Sequence, residues 1–369
     1  MNVQEDLLFQ ISLLHIPNIG AVHAKTLIDK FGSARNIFHA PVKLLESLEG
    51  IGHARARNIR KFNDFGKAEK EIRFIEKFKI KALFITDPLY PTRLLNCYDP
   101  PTMIFFKGPA DLNHQKIVSI VGTRKNSDYG KAITERIVRD LATFQPIITS
   151  GLAFGIDTIA HKAAIKNQLP TVAVLAHGLH TIYPFDNASL AREIVLSGGL
   201  LSEFPSGTDP DKHNFPSRNR VVAGLSDAVI VIETGQKGGS MITAELGNSY
   251  HRDVFAVPGR TTDPKSEGCN FLIQNNKAVL LNDGMELAEA LGWMEKEIQK
   301  PVKQTELFVT LSEDEKRVFE IINESDGIHV DQLMGKSALS TSRFASIILN
   351  LEIHNLIITL PGKVYKTAH

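Results

Sequence analysis

Cysteine is almost absent from this chain of 369 residues: Cys97 and Cys269 are the only two, far apart and without metal-ligand spacing. That argues against a disulfide framework and against a zinc site, and for a reducing compartment. No apolar run approaches the roughly 20 residues that a membrane-spanning helix needs. The start, Met1-Asn2-Val3-Gln4-Glu5-Asp6, is acidic and lacks the basic character of a secretory signal. A cytoplasmic protein with no membrane contact is expected. Nor is there an excess of one charge, since 42 Lys and Arg face 41 Asp and Glu, a formal net charge of +1. A wholly basic nucleic-acid coat is excluded, and any nucleic-acid site must be local.

What is present reads as globular and modular. A hydrophobic content of 43% and a charged content of 22% are those of a soluble folded protein. The length calls for two to four domains. We expect a helical domain over 1–65, a connector or extension to the core over 66–109, and an α/β domain over 110–292. A linker over 293–305 and a small domain over 306–369 complete the division.

Leu7, Leu8, Ile11 and Leu14 lie at helical spacing. Two hairpin-like turns follow, Ile16-Pro17-Asn18-Ile19-Gly20 and Leu48-Glu49-Gly50-Ile51-Gly52. Each leads into a helix carrying cations, Lys25 and Lys30 in one case, Arg55, Arg57, Arg60 and Lys61 in the other. This looks like a tandem helix-hairpin-helix (SAM-like) unit, whose glycine turns let backbone N–H groups approach phosphate. It reads equally as a small helical scaffold whose glycines only make turns. Asp87-Pro88-Leu89-Tyr90-Pro91 and Asp99-Pro100-Pro101 mark the connector.

From 110 to 292 short Val/Ile-rich runs alternate with helical patterns. The runs at 116–121, 147–149, 171–175, 228–232 and 254–257 are nearly continuous in apolarity, as strands buried on both faces are. The predicted fold is α/β, a Rossmann-like doubly wound parallel sheet whose ligands sit at the carboxyl ends of the strands. In the last 60 or so residues, helical patterns at 313–322, 330–334 and 340–351 precede a hairpin over 356–365 turned by Pro361-Gly362. That order predicts a winged helix. Its third helix holds a single cation, Arg343, and acids outnumber bases across the domain, so a protein-contact or structural role is expected of it.

The stretch from Leu200 to Gly259 gathers phosphate-seeking groups between apolar strands. Arg218 and Arg220 are forked guanidiniums suited to phosphate oxygens. Gly238 and Gly239 free backbone N–H groups, and Ser240 is placed to cap the helix that follows. Upstream, Gly122-Thr123-Arg124 closes the first strand where an open α/β sheet binds phosphate. Lys212 and Phe215 offer a cation with an aromatic three residues on, which suits a single-stranded nucleic acid. Phe215 reads alternatively as a core plug, and Arg220 as a clamp on Glu203 or Glu233. Asp157 and His161 share a helix face, and are either a water-polarising pair or a mutual i,i+4 hydrogen bond.

Seven stretches then occur in order: Val-Gly-Thr-Arg, Ser-Gly-Leu-Ala-Phe-Gly-Ile-Asp-Thr-Ile-Ala-His, Ser-Glu-Phe-Pro, Phe-Pro-Ser-Arg-Asn-Arg, Gly-Gly-Ser-Met-Ile-Thr-Ala, Phe-Ala-Val-Pro-Gly and Gly-Cys-Asn-Phe-Leu-Ile. Together they resemble the DNA-processing protein DprA (Smf) family. The resemblance implies a non-enzymatic, cofactor-free protein that binds and protects single-stranded DNA. Such proteins help load the RecA recombinase onto it during natural transformation. It implies phosphate contacts at Arg124 and Lys212, base stacking at Phe215, and a first loop completed by Gly122 and Thr123. It also implies a homodimer and RecA contact around Ile273, Gln274 and Val279. After that helix this chain reads Asn275-Asn276-Lys277-Ala278, where many members of the family have Gly-Ala.

Two other readings compete. A nucleotide hydrolase similar to the cytokinin-activating phosphoribohydrolases would use Arg218 and Glu245 as its catalytic pair, although Met241 stands where that motif wants glycine. An adaptor binding duplex DNA through both end domains is disfavoured by the acidic balance of the last domain.

Overall fold

The computed structural model describes residues 3–294 and 311–368, apart from 326, 355 and 361. The chain forms two compact units, Met1–Met294 and Glu295–His369. Beyond residue 294 the expected linker lies outside the described residues. Among the described residues no helix is long and apolar enough to cross a membrane.

Helices Val3–Leu13, Ala21–Phe31, Ala34–His39, Val42–Glu46, Gly52–Lys61 and Gly66–Phe78 open the first unit. The periodicity of the first one is realised: Ile11 is buried, and Leu7, Leu8 and Leu14 pack against the same core. Both expected hairpins join helices. The first bends at Asn18 (φ 65°) and the second at Gly50 (φ 78°), left-handed conformations that asparagine tolerates and glycine adopts freely. Arg55 ties the two turns together, donating at 2.9 Å to the carbonyls of Asn18 and Gly50.

A mixed sheet follows, built from β1 (Lys81–Phe84), β2 (Met103–Lys107), β3 (Ile117–Val121), β4 (Ile147–Ser150), β5 (Thr171–Leu175), β6 (Gly199–Ser202), β7 (Ala228–Val231), β8 (Asp253–Ala256) and β9 (Val279–Leu280). Their order is β1-β2-β6-β5-β4-β3-β7-β8-β9. From β6 to β9 all pairings are parallel. Every residue of β3, β4 and β5 is buried, which is why these strands read as unbroken apolar runs. One edge departs from the parallel pattern, because β1 and β2 pair antiparallel and β2 pairs antiparallel with β6. The 66–109 segment thus contributes two helices, Gly66–Phe78 and Thr92–Leu95, and two strands; its prolines flank the strands rather than interrupt them.

The chain winds from β3 through β4 and β5 to β6, then returns to β3's other side with β7. The crevice at that reversal opens at the carboxyl ends of β3 and β7, the place where such sheets bind ligands.

In the second unit, helices Glu313–Asn323, Val330–Ser337 and Thr341–Ile353 precede β11 (Ile357–Leu360) and β12 (Val364–Thr367), with β10 (Ile328–His329) before the second helix. The strand order β10-β12-β11 is that of a winged helix. A capping box formed by Ser312 and Glu315 starts the first of these helices. Two-residue β10 is too short to show a period in sequence; it forms because β12 offers it a partner.

Candidate functional site

Beyond the ends of β3 and β7 lies a recess of about 430 Å³, walled by 121–125 and 238–240 with Gly151, Asp157, Phe215 and Arg218. Its first wall is rigid. Thr123 N–H donates to the Glu233 carbonyl at 2.7 Å, and the Glu233 carboxylate accepts from Ser127 N–H at 2.9 Å and from the Ser127 hydroxyl. Ser127 in turn caps the helix Asp128–Asp140. A Cβ on Gly122 would stand 2.6 Å from Ile156, so glycine is required for the loop to lie against the next helix. Glu233 is buried and acts as a brace; sequence alone gives no sign of that role.

At the floor is Arg218, only 5% exposed. Its Nη1 donates to the Val174 carbonyl at 3.1 Å, while its Nε has no hydrogen-bond partner. A Cβ on Gly151 would fall 1.3 Å from that Nη1, which makes glycine at 151 a condition of the arginine's position. Burial pulls the Arg218 guanidinium below its usual range, Asp157 opposes this, and the charge of Arg124 adds to it. Arg218 is therefore a buried cation at the recess, not an exposed one on its rim. Of the two readings of Arg220 the structure realises the clamp on Glu203 rather than the phosphate ligand, since it donates to the Glu203 carboxylate and to the Asp99 carbonyl, both internal.

Asp157 and His161 do not form the expected pair. The Asp157 carboxylate accepts from the N–H groups of Gly151 (3.1 Å) and Ala153 (3.4 Å), holding the loop after β4. His161 Nδ1 lies 2.7 Å from the Thr171 hydroxyl, and burial pushes its pKa down to about 3. Ser240 does not cap its helix either. The cap position of Gly239–Ser249 is Gly238, no side chain caps the helix, and the buried Ser240 hydroxyl has no partner.

The rim is different. Arg124 is exposed and its guanidinium stands 5.2 Å above the Phe215 ring. Phe215 is half-buried, with Tyr183 at 6.1 Å between ring centroids. Lys125 and Lys212 are exposed, and neither they nor Arg124 has a carboxylate partner among the described residues. Lys212 stands outside the recess walls, on the turn before the helix Asn214–Leu225. Tyr183 was missed by the sequence reading; an aromatic before a proline carries no signal until its neighbour in space is known.

Of the remaining candidates, Ile273 is partly buried at the end of helix Glu267–Gln274 and Gln274 is exposed. Val279 is 60% exposed on β9, the outermost strand of the sheet. Asn276 adopts φ 54°, so asparagine supplies the left-handed turn without glycine. Glu245 faces solvent and is not part of the recess wall, so the hydrolase pair Arg218–Glu245 is not assembled. Among the described residues no group of three or more His, Cys, Asp or Glu side chains could hold a metal ion.

Three family models match the chain: DNA recombination-mediator protein A over residues 81–292, the DprA winged helix domain over 304–363, and the helix-hairpin-helix motif over 8–71. Protein Smf of Synechocystis is 36% identical over 280 residues, 74% of this chain and 70% of that protein. DNA processing protein DprA of Streptococcus pneumoniae is 41% identical over 211 residues, 57% of this chain and 74% of that protein. The X-ray structure of the S. pneumoniae protein superposes with a TM-score of 0.67 at 33% identity, covering 76% of this chain and 97% of that one. The structure of DprA from Helicobacter pylori, described for its single-stranded DNA binding mode, gives a TM-score of 0.53 at 31% identity over 58% of this chain and 97% of that one. With a family model spanning the whole recess-bearing sheet and relatives matched at this level, the chain belongs to the DprA (Smf) family of DNA-processing proteins.

Proposed function

We propose that this chain binds and protects single-stranded DNA and helps load a RecA recombinase onto it, in DNA uptake or recombination, without catalysing a reaction. The observation that carries the reading is the rim: Arg124 and Lys125, exposed and without carboxylate partners among the described residues, line a glycine-walled recess together with the Phe215 ring, and exposed Lys212 stands on the turn before the helix that carries Phe215. Cations of this kind neutralise backbone phosphates whatever the base sequence. An aromatic face accepts any base. Arg124 and Lys212 take phosphates, Phe215 stacks a base, and the loops at 122–123 and 238–240 bring backbone N–H groups close. The H. pylori relative's described binding mode supports the choice of single strand over duplex.

The partner surface of this reading is the sheet edge. Val279, Leu280 and Phe271 are exposed large apolar residues beside Gln274, a face suited to a second copy of the chain or to the recombinase. The recess reading is tested by titrating labelled oligo(dT) and a matched duplex over a salt series. Tight, salt-sensitive binding that prefers the single strand is expected; absence of binding at low salt overturns it.

A further inference from the structure

The rim accounts for an extended strand, but not for what lies beneath it. Two donors at the bottom of the recess have no partner: Arg218 Nε, on a side chain 5% exposed, and the hydroxyl of Ser240, 7% exposed. Orphaned buried donors are costly, and at a recess floor they point to an acceptor that arrives with a ligand. The same floor receives the N-terminus of the eleven-residue helix Gly239–Ser249, which has no side-chain cap. Its first-turn N–H groups and positive dipole end favour a negative charge.

The charge balance agrees. The charge of Arg124 is felt at Arg218, where the opposing carboxylate is Asp157. Asp157 is already engaged with the N–H groups of Gly151 and Ala153, and burial raises its pKa, which weakens its hold on Arg218. An anion entering the recess would meet two arginines and one preoccupied acid. At about 430 Å³ the recess exceeds a phosphate and suits a nucleotide.

Shape then selects the kind of phosphate. An internal phosphodiester has two ester arms, and both must leave by the mouth if the phosphate is to touch the floor. A phosphate monoester has one arm, and its dianion makes better use of two unpartnered donors and a helix N-terminus. We propose that the floor of this recess is a site for the phosphate monoester of a nucleotide, so that a phosphorylated strand end is held there while the rim grips the strand that follows. This deepens the single-strand reading of the rim and rests on it for the strand, though not for the monoester.

The test compares oligo(dT) of one length with a 5′-phosphate, with a 3′-phosphate or with hydroxyl ends, alongside a closed circular single strand. Competition by dTMP and by thymidine is measured on the same protein. A phosphorylated end should bind on the order of tenfold tighter than a hydroxyl end, the scale of a hydrogen bond to a charged group. Which end shows the gain identifies the strand polarity. The closed circle should bind like the hydroxyl-ended strand, and dTMP should compete where thymidine does not. In Ser240→Ala the ratio between phosphorylated and hydroxyl-ended strands should fall.

Equal affinity for all strands, with no competition by dTMP, overturns the inference while leaving the rim reading in place. Competent dTMP binding without any strand binding keeps the monoester site and removes the strand. Failure of both dTMP and every strand removes both.

Discussion

In the N-terminal helices Arg55 donates to the carbonyls of Asn18 and Gly50, Arg60 to that of Phe38, Arg57 to the His53 ring, and Lys25 pairs with Asp29. At the recess, by contrast, Arg124 and Lys125 face no carboxylate among the described residues, nor does Lys212 on the turn beyond its wall. The arginines of the two regions differ in what they already hold, whereas Lys30 and Lys61 of the hairpin helices are exposed and as little engaged as the rim lysines. A guanidinium engaged with a backbone carbonyl builds a turn, and leaving that carbonyl costs what an outside phosphate would return. An unengaged cation on a rigid rim gives up only water and counterions. Counting arginines therefore says little about where a polyanion binds, whereas asking which of them are free says a good deal.

The comparison breaks most readily at the rim. Replacing Arg124 and Lys212 together by alanine should weaken oligo(dT) binding on the order of a hundredfold near physiological salt, with a shallower dependence on salt concentration. The loss should not depend on base sequence. Unchanged affinity in that double variant, in a folded protein, would place the strand elsewhere.

Phe215→Ala comes next. If the ring stacks a base the cost is about 1–3 kcal/mol of binding. Because Arg124 lies over the same ring at 5.2 Å, part of that loss would come from a guanidinium no longer held in position. Phe215→Leu separates the two roles, since an aliphatic side chain fills the volume but offers no aromatic face. A folded leucine variant with full affinity would make Phe215 a bed for Arg124 and nothing more.

A third variant sharpens the contrast between rim and framework. His161 is held neutral by burial, with its pKa pushed down to about 3 from an ordinary 6.5. As pH falls through that interval the unfolded chain takes up a proton that the folded one refuses, so this group removes stability on the acid side. His161→Gln should flatten the loss of thermal stability below about pH 6.5, as followed by circular dichroism melts. An acid limb as steep as that of the parent would mean that other groups set it.

How much of this was legible in the sequence follows the same division. Strands β3, β4 and β5 were legible because they are buried on both faces and read as apolar runs. Strands β1 and β2 were hidden between prolines that mark turns, and only antiparallel pairing with β6 reveals them as part of the sheet. At the site, Arg124 was legible from its place after β3. The fate of Arg218 was not, and that of Arg220 was so only as one of two open readings, although they stand two residues apart on one helix. One points under the sheet ends toward Val174 and the other toward Glu203, and a sequence contains neither direction. Ser240 was read as a cap because serine before a helix usually is one, yet the cap position falls two residues earlier, at Gly238.

The smallest expected effects test the engaged cations. Arg55→Ala should lower stability by about 1–2 kcal/mol, because two carbonyls lose a donor and the hairpins lose their tie, while affinity for oligo(dT) stays within about twofold. In the second unit Arg343, which heads a helix that would enter a groove in a DNA-reading winged helix, forms an ion pair with Asp314. The pair is largely exposed on the arginine side, so Arg343→Ala should change stability by no more than about 1 kcal/mol and leave strand affinity alone. Loss of single-strand affinity in either variant would show that an arginine with a partner in the free protein exchanges it for phosphate. The distinction between engaged and free cations would then fail as a guide to the binding surface, and the rim would have to share its role with the ends of the chain.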